Sequence, residues 1–151
     1  MRTLLALDAV GFLNDVTGGN LLGWKVVVAT AVFAMAGFQV ALAARFWGVG
    51  GLAIKPEVAV KMHRWNGRIL LFGAVVVALA CLVGPAGSTS PTRAVLHSIF
   101  GTVLFLALIA KLTLLKLTKK YQGLIPMAGI LLFVSFLAVW ATSVADYVAA
   151  R

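Results

Sequence analysis

The stretch Ile69-Leu70-Leu71-Phe72-Gly73-Ala74-Val75-Val76-Val77-Ala78-Leu79-Ala80-Cys81-Leu82-Val83 contains no charge and no strongly polar side chain. Extended to Trp65 and Gly84, it becomes a segment, 65–84, in which Arg68 is the single charge. A helix that crosses a bilayer needs about 20 predominantly apolar residues, and this one qualifies. Three further runs do the same: 25–44, 95–115 and 125–145. Only helices and closed barrels satisfy their backbones in lipid. Barrel strands alternate over about 10 residues, whereas these runs are long and continuous. Composition agrees. The 151 residues are 62% hydrophobic and 11% charged, with a mean hydropathy of +1.06, against about 45–50% and about 25% in soluble domains. The expected fold is an all-α integral membrane protein: four transmembrane helices in a single compact up-down-up-down bundle, with no room for a soluble domain.

Outward from the spans, the chain divides into 1–20 and 21–151. In the first part, Asp8, Gly11 and Asp15 fall at near-helical spacing among Leu4, Leu5, Leu7, Phe12 and Leu13. That pattern predicts a short amphipathic segment lying on the membrane surface. A cleaved signal peptide fits less well, because Asp8 interrupts the apolar region. Thr17-Gly18-Gly19-Asn20 predicts a turn. Further connectors are Gly48 to Pro56, Gly84 to Pro91, and a turn at Gln122-Gly123 ahead of Pro126, which suits a first helical turn. Short connectors imply antiparallel neighbours.

The net charge of +9 reads as topology rather than as nucleic-acid binding. Arg45, Lys55, Lys61, Arg64, Arg68, Lys116, Lys119 and Lys120 fall on one side of the membrane, and Arg2, Lys25, Arg93 and Arg151 on the other. The positive-inside rule assigns the first group to the cytoplasm and both termini to the periplasmic side, as in a bacterial inner membrane. Trp47, Trp65 and Tyr121 mark one interface, and Trp24, Trp140 and Tyr147 the other. The basic loops also suit contact with anionic lipid.

Little in the sequence supports hydrolysis or group transfer. The acids number four, Asp8, Asp15, Glu57 and Asp146, all near span ends or in loops. Cys81 is the single cysteine, so no intrachain disulfide or cysteine-based metal centre can form. Lys111 lies inside the third span, close enough to its cytoplasmic end for the side chain to snorkel outward. A transporter would call for ionisable groups at mid-membrane.

Both histidines of the chain, His63 and His97, are followed four residues later by glycine, Gly67 and Gly101. On a helix, positions i and i+4 share a face. A glycine there leaves a notch beside the imidazole, and haem bound through an axial histidine needs such a notch. The bland alternative for His97 is a polar residue bonded to a neighbouring helix, with Gly101 serving close packing. The alternative for His63 is a solvated interfacial histidine among Lys61, Arg64 and Arg68. In the functional reading, Arg64 and Arg68 pair with haem propionates. From His63 to the end of its span is about 30 Å of helix at 1.5 Å per residue, which puts the two imidazoles near opposite membrane faces. They cannot share one iron within a protomer. Reflection about the 84–91 link sets Ala80 and Cys81 level with His97, and Leu114 level with His63, with Met127 a plausible thioether neighbour.

Met62-His63-Arg64-Trp65-Asn66-Gly67-Arg68 resembles the His-Arg-x-x-Gly signature that opens a helix in small transmembrane b-type cytochromes. His97 to Gly101, Ala110-Lys111, Ile125-Pro126-Met127-Ala128-Gly129 and Trp140-Ala141-Thr142-Ser143 extend the resemblance to an uncharacterised bacterial four-helix membrane family of that pattern, over about residues 22–148. The resemblance implies haem b held by His97 or His63 and electron transfer in a membrane, the protein being at most an oxidoreductase subunit. It also implies a further histidine late in the second span, where this chain has Ala80. A quinone or a chlorophyll-type pigment are the other ligands this pattern suggests. The alternative function is a non-catalytic accessory subunit of a respiratory or photosynthetic membrane complex. The expected partners are the lipid bilayer and other membrane subunits or a second copy of the chain.

Overall fold

A computed structural model describes residues 10–50, 52–83, 90–117 and 119–149. All of its regular structure there is helical. Helix α1 covers 10–16, followed by α2 (Leu21–Phe46), α3 (Pro56–Val83), α4 (Pro91–Lys116) and α5 (Ile125–Ala149). A 3-10 helix, Lys119–Leu124, joins α4 to α5 where the sequence suggested a simple turn. Residues 1–9 and 84–89 lie outside the described set, so most of the expected surface segment and the α3–α4 link do too.

The four long helices hold 25 to 28 residues each, about 37–42 Å of helix against a hydrocarbon core of about 30 Å. They are longer than the apolar runs predicted. The largest difference is α3, which begins at Pro56 rather than near residue 65. Proline is at home in a first helical turn, and the charged residues 57–68 propagate a helix as readily as apolar ones once it has started. His63 therefore sits two turns inside α3. At the start of α2, Asn20 is the N-cap, its Oδ1 accepting from the Gly23 N–H at 3.0 Å. A Cβ on Gly23 would stand 2.6 Å from the Asn20 amide, so the glycine lets that side chain sit close over the helix start. Gly18 and Gly19, at φ +61° and +80°, turn the chain between α1 and α2.

What the helices bury is mostly small. Ala36, Ala59, Ala74, Ala80 and Ala107 are buried, with Leu21, Val32, Leu42, Leu104 and Leu132. Phe72, Leu82, Leu106, Ile109 and Ile130 are more than half exposed. At most 17% of any span's apolar window is covered by protein. Exposed apolar patches of this extent need an apolar solvent. Alanine seams with large side chains outward are how helices pack in lipid, where close approach replaces the hydrophobic drive. Four helices are thus long and apolar enough to cross a membrane, as an integral membrane protein requires.

The helix pairs α2–α3, α2–α5 and α4–α5 are packed. Gln39 meets His63 while Met35 meets Asn66, Thr30 meets Trp140, and His97 meets Thr142 while Arg93 meets Ala145. In each pair with two such contacts, the numbers run in opposite senses, which gives the expected up-down-up-down order. Among the described residues the consecutive helices α3 and α4 are not one of the closely packed pairs. Among the small residues on α3, Ala59 and Ala74 are buried and Gly73 meets α2. Gly73 is the tightest of these, since a Cβ there would lie 2.8 Å from Val32 Cγ2.

Candidate functional site

The open α3–α4 seam leads into a cavity of about 610 Å³ lined by all four long helices, within the roughly 300–1,000 Å³ of ordinary small-molecule sites. Its walls are mainly apolar, with Val26 and Ala29 from α2, Val77 and Ala78 from α3, Phe105 from α4 and Phe136 from α5. The groups with chemistry are few. His97 and Gly101 come from α4, Cys81 from α3, Lys25 from α2, and Trp140 and Ser143 from α5.

His97 is held from behind. Thr142 Oγ1 donates to the carbonyls of Ala138 and Val139, both at 2.9 Å, and Ser143 Oγ donates to Val139 O at 2.9 Å. With the hydroxyl protons so directed, the ring's Nδ1–H donates to Thr142 Oγ1 at 3.0 Å, with Ser143 Oγ 3.4 Å away. In a neutral ring with that donor, the second nitrogen, Nε2, carries the lone pair. An acceptor bonded to one ring nitrogen is what fixes the ring and the donor atom of a metal-ligating histidine. Beside it, Gly101 has open space: a Cβ there would meet nothing within 4 Å.

The other motif is built differently. His63 Nδ1–H donates to Gln39 O at 3.2 Å, and its ring stands edge-on to Phe46 at 5.1 Å. Gln39 Nε2 returns a bond to His63 O at 3.0 Å. Asn66, 8% exposed, donates to Met35 O at 3.0 Å and to Gln39 Oε1 at 2.6 Å. The four polar contacts clasp α2 to α3. Gly67 belongs to this clasp, since a Cβ there would lie 3.0 Å from Gln39 Nε2. The notch beside His63 is filled by an amide, while the notch beside His97 faces a cavity.

The structure therefore brings His97 and Gly101 together in one site and sets His63 and Gly67 in another. Arg64 and Arg68 are exposed on the far side of α3 from the clasp, with the Arg68 guanidinium 5.2 Å from the Trp65 ring centroid. They share no pocket with His97. Lys25 does line its cavity. Sequence reasoning had used Lys25 only to set orientation. Its position one turn into a span, level with His97, was the available signal. Cys81 also lines the cavity, as the reflection of the hairpin anticipates, whereas Ala80 is buried away from it. The Lys111 Nζ lies 3.5 Å from where a Cβ on Gly129 of α5 would stand. Trp140 is more than an interfacial ring: it stacks on Phe33 at 4.8 Å, its Nε1–H donates to Thr30 Oγ1 at 3.0 Å, and it walls the cavity.

Among the described residues no cluster of three or more His, Cys, Asp or Glu side chains could hold a bare metal ion. A single positioned imidazole suits a tetrapyrrole, which brings its own equatorial nitrogens.

Residues 6–150 match the profile of a family of unknown function, DUF6529. The chain belongs to the DUF6529 family. No curated protein and no solved structure matches it. Membership of DUF6529 supplies no activity, so any functional reading of this DUF6529 protein rests on the cavity.

Proposed function

We propose that the protein is a membrane b-type cytochrome-like subunit that holds haem b in the α3–α4 cavity through His97 and passes electrons within a membrane. The observation that carries this reading is the pairing of an imidazole oriented through Nδ1 with an open glycine notch on the wall of an apolar cavity. Bound haem would supply one-electron exchange, its potential set by the axial ligand and the apolar surroundings. The chain's own residues have distinct tasks. Thr142 and Ser143 hold the ring, Gly101 admits a flat macrocycle, and Lys25 offers a cation to a propionate. Cys81 is the one other soft ligand on the cavity wall. In this reading the site lies at the periplasmic end of the bundle, in a bacterial inner membrane.

The test is the reduced-minus-oxidised spectrum of the purified protein. A b-type Soret and α band should be present, lost in His97→Ala and kept in His63→Ala. Carefully purified protein with no chromophore would sink the proposal, and long-wavelength bands would transfer the site to a chlorophyll-type pigment. A second reading, an accessory subunit of a larger redox complex, is favoured by the open seam, where a partner's helix would complete the bundle. Extraction solely as part of a large complex, without haem, would support it.

A further inference from the structure

One face of α3 is untouched by the cavity or by the clasp. Glu57, Lys61, Arg64, Trp65, Arg68, Phe72, Val75 and Leu79 recur at helical spacing, within about a third of the circumference at 100° per residue, and all are exposed. The buried Asn66, Ala59 and Ala74 lie on the opposite side, and Asn66 is bonded to α2. The upper part of the stripe is basic and aromatic, and the lower part purely apolar.

The basic part forms a surface depression of about 430 Å³ lined by Glu57, Lys61, Arg64, Trp65 and Arg68 with Val60. Three cations face one carboxylate. Among the described residues none of Lys61, Arg64 and Arg68 makes an ion pair, so their charge is uncompensated by protein. Trp65 is 58% exposed beside them, and an indole at this depth favours the headgroup–acyl boundary. From Arg68 to Leu79 the helix rises about 16 Å, about half of the roughly 30 Å hydrocarbon core. The charged pocket thus sits one leaflet's depth above the end of the apolar track.

We propose that this face of α3 binds one anionic phospholipid. Lys61, Arg64 and Arg68 take its phosphodiester, Trp65 lies against the glycerol region, and an acyl chain runs along Phe72, Val75 and Leu79. Arginine suits the role, because its planar fork donates two parallel bonds to phosphate oxygens. Glu57 lowers the net charge of the pocket without reversing it. The site is independent of haem.

Native mass spectrometry of the detergent-purified full chain tests this. After titration with phosphatidylglycerol, a one-lipid adduct should persist at activation energies that strip phosphatidylcholine. Arg64→Gln/Arg68→Gln should weaken that adduct roughly thirtyfold, while Lys116→Gln, a cation at the same end of a different helix, should leave it intact. Phe72→Ser should shorten its retention with the cations unchanged. Equal retention of the two lipids, or equal loss in Lys116→Gln and the double variant, would overturn the proposal in favour of diffuse charge. Circular dichroism of each variant separates loss of the site from loss of the fold.

Discussion

At the residue scale, the two His-x-x-x-Gly motifs are chemically alike and structurally opposite. In both, Nδ1 is spent on an acceptor from a neighbouring helix, a backbone carbonyl for His63 and a hydroxyl for His97. The difference lies at the glycine, where Gln39 occupies one notch and nothing occupies the other. The consequence can be measured. Thr142→Val/Ser143→Ala keeps the side-chain volume close to native and removes the acceptors behind His97. If the cavity holds haem, haem affinity followed by Soret titration should fall about 10–100-fold, as is typical when an outer-shell partner is lost. An unchanged affinity would mean that the hydroxyls do not orient the ligand. Gly101→Phe should abolish binding outright by filling the notch, with the fold intact, because the ring projects into space already empty.

At the scale of elements, the seams differ in kind. The α2–α3 seam is a polar clasp plus alanine and glycine contacts, and interhelical hydrogen bonds in lipid average about 0.6 kcal/mol. Steric closeness therefore matters as much as the bonds. Gly73→Leu is expected to destabilise the protein by about 1–3 kcal/mol, the usual cost of overpacking, since Val32 Cγ2 stands 2.8 Å from the new Cβ. Gly37→Leu, on α2 with nothing within 4 Å, should be close to neutral. Unfolding curves in mixed micelles compare the two, and equal effects would refute a seam set by glycine contact. The α2–α5 seam is aromatic instead, with Phe33 stacked between Trp140 at 4.8 Å and Phe133 at 5.8 Å. Such rings bury large area with little rotamer freedom to lose, and of the three Trp140 lines the cavity with His97.

At the scale of the molecule, four antiparallel spans return the chain to the side from which it started. Reporter fusions should place the end of α5 on the same side as the start of α2, and the 119–124 connector on the other. With the basic loops cytoplasmic, a fusion after residue 149 should be active only as a periplasmic reporter. A cytoplasmic result there would overturn the orientation drawn from Lys and Arg placement. Helix count, helix order and the span-like length of the apolar helices were all legible in the sequence, because an apolar run of span length has few other solutions in lipid. Helix ends were less so. The charged turns 57–64 give no hydropathy signal, yet they continue α3 as helix. Which helices pack most closely was not legible either. A short link between spans guarantees that they are neighbours in sequence, and it leaves open which neighbour takes up their small residues. For α3 the closely packed partner is α2 rather than α4.

The sequence alone determined the four spans, their alternating direction, the separation of the two histidines by most of a membrane, and Cys81 rather than a histidine level with His97. Tertiary structure alone decided which glycine notch is open. An i, i+4 pair fixes that imidazole and glycine share a helix face, because that follows from 3.6 residues per turn. It says nothing about what stands across from that face. Gln39, 28 residues before Gly67 in the chain, fills one notch, and the other faces a cavity where α3 and α4 are not closely packed.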